Sequence, residues 1–239
     1  MKATKIFMMA ALALMMTACS NDDNDLTTQQ PQKAEGITIT AQLAPKTNGA
    51  TTRAVEDKTT YIETKWAVNE HIAILYSKDG NQMADAEITA VDGSGAATIT
   101  FTVEAGTPDN TACTLVYPLS AAKDDHTGVK DAATLLAAQN GMLNANLDVR
   151  VGEGTIQTTT PGLTVTTQPE AQFAIWKLTL NNSAKDLYIT ADGVLIAGAT
   201  RSSAGTEFYV AVPAVDSKTV AVVATDGSSN CWSYSKDDV

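Results

Sequence analysis

Cysteine and histidine are scarce in this 239-residue chain: three cysteines, at positions 19, 113 and 231, and two histidines far apart, with no CxxC pair. That scarcity excludes a disulfide framework and a zinc-ribbon type of site, both of which need several such residues at short spacing. Cys113 and Cys231 fall one in each half and read as two buried free thiols, although an exported chain could also pair them. Basic residues are few as well, 16 against 27 acids, for a formal charge of −11. Nucleic acid and anionic lipid headgroups, which need a basic surface, are therefore poor partners. HExxH, GxSxG, Walker A and GxGxxG signatures are all missing, and Gly152 and Gly154 have no third glycine at the required spacing. The longest apolar run, Ile6 to Met16, is too short to span a bilayer.

What is present begins with that run. Lys2 and Lys5 precede it, and the small residues Thr17 and Ala18 follow it, so residues 1–18 read as a secretory signal peptide. Met16, Thr17, Ala18 and Cys19 resemble the lipobox of bacterial lipoproteins. The resemblance implies that Cys19 is acylated and anchors the mature chain in a membrane by lipid alone, several acyl chains holding far better than one. The next six residues, "SNDDND", are too polar and like-charged to fold, and residues 19–35 read as an acidic disordered tether. The tract resembles the export signal that sends Bacteroidetes lipoproteins to the outer face of the outer membrane. It lacks the glycine and distal glutamate of a calcium loop.

From Gly36 onward a period of two dominates. Ile37, Ile39, Ala41 and Leu43 alternate with Thr38, Thr40 and Gln42, and the pattern returns at Ala97 to Glu104, Trp176 to Leu180 and Phe208 to Val212. Asp-Gly pairs at 79–80, 92–93, 192–193 and 226–227 fall between such runs, where hairpins need residues that tolerate positive φ. The chain is thus predicted to be all-β, built from two antiparallel β-sandwich domains, residues 36–168 and 169–239. Val129, Ala132, Ala133 and Leu136 follow helical spacing instead and predict one short helix covering a sheet, with Gly141 placed to stop it. The second domain is short for a sandwich, which leaves open a carboxyl end that lacks a strand.

Residues with chemical potential do not converge in sequence. Asp124, Asp125 and His126 read as a solvated loop, His71 as a strand-edge residue, and no cofactor or metal is indicated, so an enzyme is not expected. Glycan binding would need exposed rings for sugar faces to stack on. Trp66 and Trp232 are the candidates, whereas Trp176 lies in strong alternation and reads as core.

Taken in order, the lipobox and the segments "GITITAQL", "TTRAVED", "KWAVNEHIAILYS", "TLVYPLS", "AAQNGMLNANLDVRVGEGTI", "FAIWKLTL" and "FYVAVPAV" resemble the fimbrillin family of Bacteroidetes, the type V pilins and their fimbrillin-like relatives. One departure is Asn69-Glu70, where the family usually carries Gly-Asp. The resemblance implies transthyretin-like sandwich domains, a surface-exposed lipoprotein of the outer membrane, and assembly into adhesive pili with other pilin subunits, the adhesion target being unspecified. It also implies cleavage by an arginine-specific protease between Arg53 and Ala54, with loss of the first strand and entry of a donor strand from a neighbour. Independently of the family, Lys46 to Glu56 is polar and aperiodic, as a nicked loop is; Arg53 as a plain loop cation remains the alternative. A non-polymerising outer-membrane lipoprotein that binds glycans through Trp66 and Trp232 is the second functional expectation. Beyond "CWSYSKDDV" the family pattern would continue with a turn and a further strand, so the expectation is either a truncated chain or a subunit that accepts a strand without donating one.

Overall fold

A computed structural model describes residues 35–46, 55–57, 62–137, 139–214 and 219–237. In chain order, β1 (Ile37–Leu43) precedes a two-stranded ribbon of β2 (Val55–Asp57) and β3 (Ile62–Thr64). Then come β4 (His71–Ser77), β5 (Asn81–Val91), β6 (Ala97–Val103), β7 (Thr111–Tyr117), the short helix α1 (Ala132–Ala137), β8 (Arg150–Gln157) and β9 (Gly162–Ala171). β10 (Ala174–Ala191), β11 (Val194–Val212), β12 (Thr219–Thr225) and β13 (Cys231–Asp237) complete the order. The architecture is all-β, with a seven-stranded and a four-stranded antiparallel sheet and one short α-helix, the class that the alternation predicts.

The seven-stranded sheet runs β1-β6-β5-β4-β7-β8-β9 and curls until its two edges approach. Ala44, just past β1, donates its N–H to Gln168 Oε1 of β9 at 3.1 Å. Alternation then puts one face inside: Ile39, Ala41 and Leu43 from β1 meet Ile72 and Ile74, Ala86 and Ile88, Ile99 and Phe101, and Leu115 in one core. β4 is buried on both faces. Its unbroken apolar run sends Ala73 and Leu75 outward, where Val116, Ala121, Ala122 and Val149 cover them.

In the four-stranded sheet, order β11-β10-β12-β13, the long β10–β11 hairpin changes register near Thr179, Ala184 and Asp186. Its first part, through Phe208, Val210 and Val212, packs against Leu187, Ile189, Ala197, Val220 and Ala224 of the remainder. Hairpin turns fall on the Asp-Gly pairs: Asp79 and Gly80 have φ 52° and 128°, and Asp192 and Gly193 have φ 48° and 83°. Asp92 and Asp226 act through their side chains. Asp226 Oδ1 accepts from Ser228 N at 2.9 Å and Ser228 Oγ at 2.8 Å, and these bonds hold its carboxyl down to about 2.

Two expectations, the helix with its stop and the pair of buried thiols, need adjustment. The helix covers only Ala132–Ala137; Val129 instead bridges to Ala122, and α1 packs against β11 through Leu136. Gly141 does not stop it. It lies beside β11, where a Cβ would come within 2.7 Å of Phe208 Cδ1 and its own carbonyl accepts Tyr209 N–H at 3.1 Å. Both its φ of 66°, in the left-handed region, and the nearby Phe208 ring favour glycine there. Of the two thiols, only Cys113 is buried, its pKa pushed up to about 12 by burial; Cys231 is exposed, and both are free. The first sheet runs through Gln168 and Pro169 to Ala171, and from Glu35 onward the chain forms one compact unit.

Candidate functional site

Among the described residues β1 is an edge strand paired on one side, with β6, in unbroken register from Ile37 opposite Val103 to Leu43 opposite Ala97. Its inner face is core; Ile39 and Leu43 have 0% and 1% of their surface exposed. Burial of each contributes about 1.5–3 kcal/mol. Its outer face is a polar ladder: Thr38 with Thr102 at 3.2 Å, Thr40 with Thr100 at 3.4 Å, and Gln42 Nε2 donating to Thr98 Oγ1 at 2.7 Å. Gly36 lets the strand start close to β6, since a Cβ there would come within 2.6 Å of the Val103 carbonyl oxygen.

Three residues past β1, Lys46 turns inward. Its side chain is fully buried, and Nζ lies 2.9 Å from Asp148 Oδ2, 3.4 Å from the Tyr117 ring centroid and 4.1 Å from that of Trp66. The two rings meet edge to face at 5.3 Å, and Trp66 Nε1 donates to Ala44 O at 2.8 Å. Asp148 is shared. Arg150 Nε donates to its two oxygens at 2.9 and 3.0 Å, while Arg150 NH2 reaches Thr64 Oγ1 at 2.7 Å. Burial dominates the electrostatics, lowering Lys46 to about 8 against the opposing pull of Asp148. Burial likewise raises Glu70 and pushes the Tyr117 phenol far up, the Glu70 charge adding to the latter. Among the described residues the buried Tyr117 hydroxyl has no hydrogen-bond partner of normal geometry.

A second feature opens on the four-stranded sheet. Leu178, Leu180, Val222, Ala224, Trp232 and Tyr234 line a groove of about 520 Å³ together with Asn181 and Asn182. Trp232 is half-buried, and Tyr234, two residues on, is 67% exposed. Among the described residues, Leu178 and Thr179 pair with β11 on one side and with no strand on the other.

The residues singled out from sequence do not gather into one site. Cys19, Arg53 and Ala54 lie outside the described residues. Trp66 is 1% exposed and packs in the first core, so no sugar can stack on it; only Trp232 of the expected pair reaches the surface. Trp176 is partly buried against the second core. Asp125 Oδ1 accepts from Thr127 N at 3.0 Å in a turn that also holds Asp124, and His71 Nδ1 lies 2.7 Å from Asp85 Oδ1 at the start of β4, both side chains half-exposed. Among the described residues no cluster of three or more His, Cys, Asp or Glu side chains could hold a metal. Sequence reasoning missed Lys46, Asp148, Arg150 and Tyr234. Only Tyr234 carried a local signal, its alternation with Trp232. No protein-family profile, curated protein or solved structure matches this chain.

Proposed function

We propose that this chain is a non-enzymatic, fimbrillin-like lipoprotein of the outer-membrane surface. It acts as a structural or accessory pilus subunit in adhesion, receiving a strand from a neighbouring subunit after proteolysis removes its own first strand. The observation that carries the reading is β1: an edge strand, paired on one side, whose inner face completes a closed core and which leads into the segment holding Arg53. Loss of β1 would leave one edge of β6 unpaired and uncover Ile99, Phe101 and Val103. An extended polypeptide meets both needs at once, because its backbone fills the edge and its alternate side chains fill the groove. The departure at Asn69 also fits the family pattern. Asn69 has φ 66°, a left-handed conformation that asparagine tolerates and glycine, the usual family residue there, adopts freely.

Arg53→Ala tests the reading. Surface material from cells carrying it should stay lipid-bound and monomeric, whereas the parent should yield an unlipidated form that enters high-mass assemblies. Equal assembly by both would remove Arg53 from the account.

One observation favours a second reading, a non-polymerising glycan-binding lipoprotein. Trp232 and Tyr234 stand on one face of β13 and line an uncharged groove with the amides of Asn181 and Asn182. Neutral sugars bind such surfaces by stacking and amide hydrogen bonds. Trp232→Ala should then abolish retention on polysaccharide columns and leave processing unchanged.

A further inference from the structure

We propose that Lys46 is a built-in release device for β1: its buried ammonium, sharing one carboxylate with Arg150, makes the outgoing end of β1 the readiest part of the seven-stranded sheet to open. Two cations, Lys46 and Arg150, converge on Asp148. An ammonium has three N–H donors, and among the described residues Lys46 donates to one oxygen only, the rest of its surroundings being the ring faces of Tyr117 and Trp66. In water all three donors would be satisfied. Departure of Lys46 leaves neither facing carboxylate without a partner, because Arg150 still holds both oxygens of Asp148 and Glu70 Oε2 still accepts from Ala67 N–H at 3.2 Å. A lysine whose leaving stranded a carboxylate would be a lock; this one is free to go.

Position turns this local imbalance into a device. Lys46 stands three residues beyond Leu43, and among the described residues the other hydrogen bonds that hold this exit are single ones, Ala44 N–H to Gln168 and Trp66 Nε1–H to Ala44 O. When Lys46 leaves, those bonds face water and β1 frays from its carboxyl end. Within the reading above, this would supply the release step that must follow a cut, but the inference stands on the fold and needs no cleavage to be tested.

The groups facing Lys46 are Asp148, Glu70 and the ring faces of Tyr117 and Trp66, which favour its charge, and Arg150, which opposes it. Its folded pKa, about 8, lies below the ordinary 10.5, so the released lysine binds its proton more tightly than the seated one. Opening is therefore fully favoured below pH 8. It weakens about tenfold per pH unit as pH rises from there toward 10.5. Alkali tightens β1, and neutral or acid conditions loosen it.

Two measurements on the full chain test this. Trypsin can cut after Lys46 only once that side chain has left its seat to enter the protease pocket. Normalised to an unstructured peptide of the same sequence, wild-type cleavage after Lys46 should fall at least about tenfold between pH 7 and about pH 9.5, a range that ends below ordinary tyrosine ionisation. Flat or rising cleavage overturns the proposal. The second measurement is hydrogen exchange at pH 7 in Lys46→Met, which keeps the stem and removes the charge. Protection of the β1 amides should rise about tenfold while that of β4 and β5 is unchanged. A fall in β1 protection would make Lys46 a lock and contradict the inference; should the variant fail to fold, the wild-type series decides alone. Neither result depends on whether Arg53 is processed in cells.

Discussion

β1 and β13 invite comparison. Among the described residues each is a seven-residue edge strand paired on one side, β1 to β6 and β13 to β12. β1 hides Ile39, Ala41 and Leu43 in a core that its sheet closes by curling edge to edge, whereas β13 leaves Tyr234 exposed and Trp232 half-buried over an open groove. Equal length and equal pairing thus carry unequal energetic weight. What decides is whether the strand's inner face meets a second layer, as β1 does across the curled sheet. Removing β1 would open a core; the groove under β13 is already open.

The comparison can be broken at several points, taken from the largest expected effect. Leu43→Ala should cost about 2–5 kcal/mol in chemical denaturation, as truncation of a fully buried leucine does. Tyr234→Ala should cost about 0.5 kcal/mol or less. Similar losses would mean that β13 is buttressed as β1 is, and the contrast would fail. Gly36→Ala comes next, with a loss of about 1–3 kcal/mol, because the added methyl meets backbone at Val103.

Lys46→Met should move the other way at pH 7, gaining about 1–3 kcal/mol, since a buried ammonium gives way to an apolar side chain and Asp148 keeps Arg150. The gain should shrink as pH rises from 8 toward 10.5: wild-type Lys46 loses its proton in the fold while the unfolded chain keeps it, which raises wild-type stability over that window. Comparing the two proteins at each pH cancels Cys113 and contributions common to both. The smallest effect belongs to the turn before β13. The Asp226 carboxyl should titrate by NMR near pH 2, and Ser228→Ala and Asn230→Ala should move that midpoint upward toward the usual aspartate value.

Much of this fold is written locally. Alternation marks β1, β6 and the paired halves of β10 and β11, and the Asp-Gly pairs mark their turns, because both signals act within a few residues. β5 gives a weaker pattern, since its inward residues include Ala84 and Ala86, which add little hydrophobicity. The buried cluster was not legible. Lys46 lies in a polar stretch that reads as a loop, and its partner Asp148 stands 102 residues away. Trp66 follows Glu63, Thr64 and Lys65, yet all four are buried, Glu63 and Lys65 pairing at 2.9 Å. Polar residues pass as surface in sequence until a distant partner lets them go inside. Gly141 shows the same limit, since the Phe208 ring that leaves no room for a side chain there lies in a strand far along the chain.

The measurement closest to the central claim is the amino-terminal residue of the protein recovered from the native cell surface, read by intact mass and terminal peptide mapping. The account predicts a population beginning at Ala54, with β1 shed and the first core open to a neighbour's strand. An acylated Cys19 as the sole terminus, in material already assembled, would contradict it.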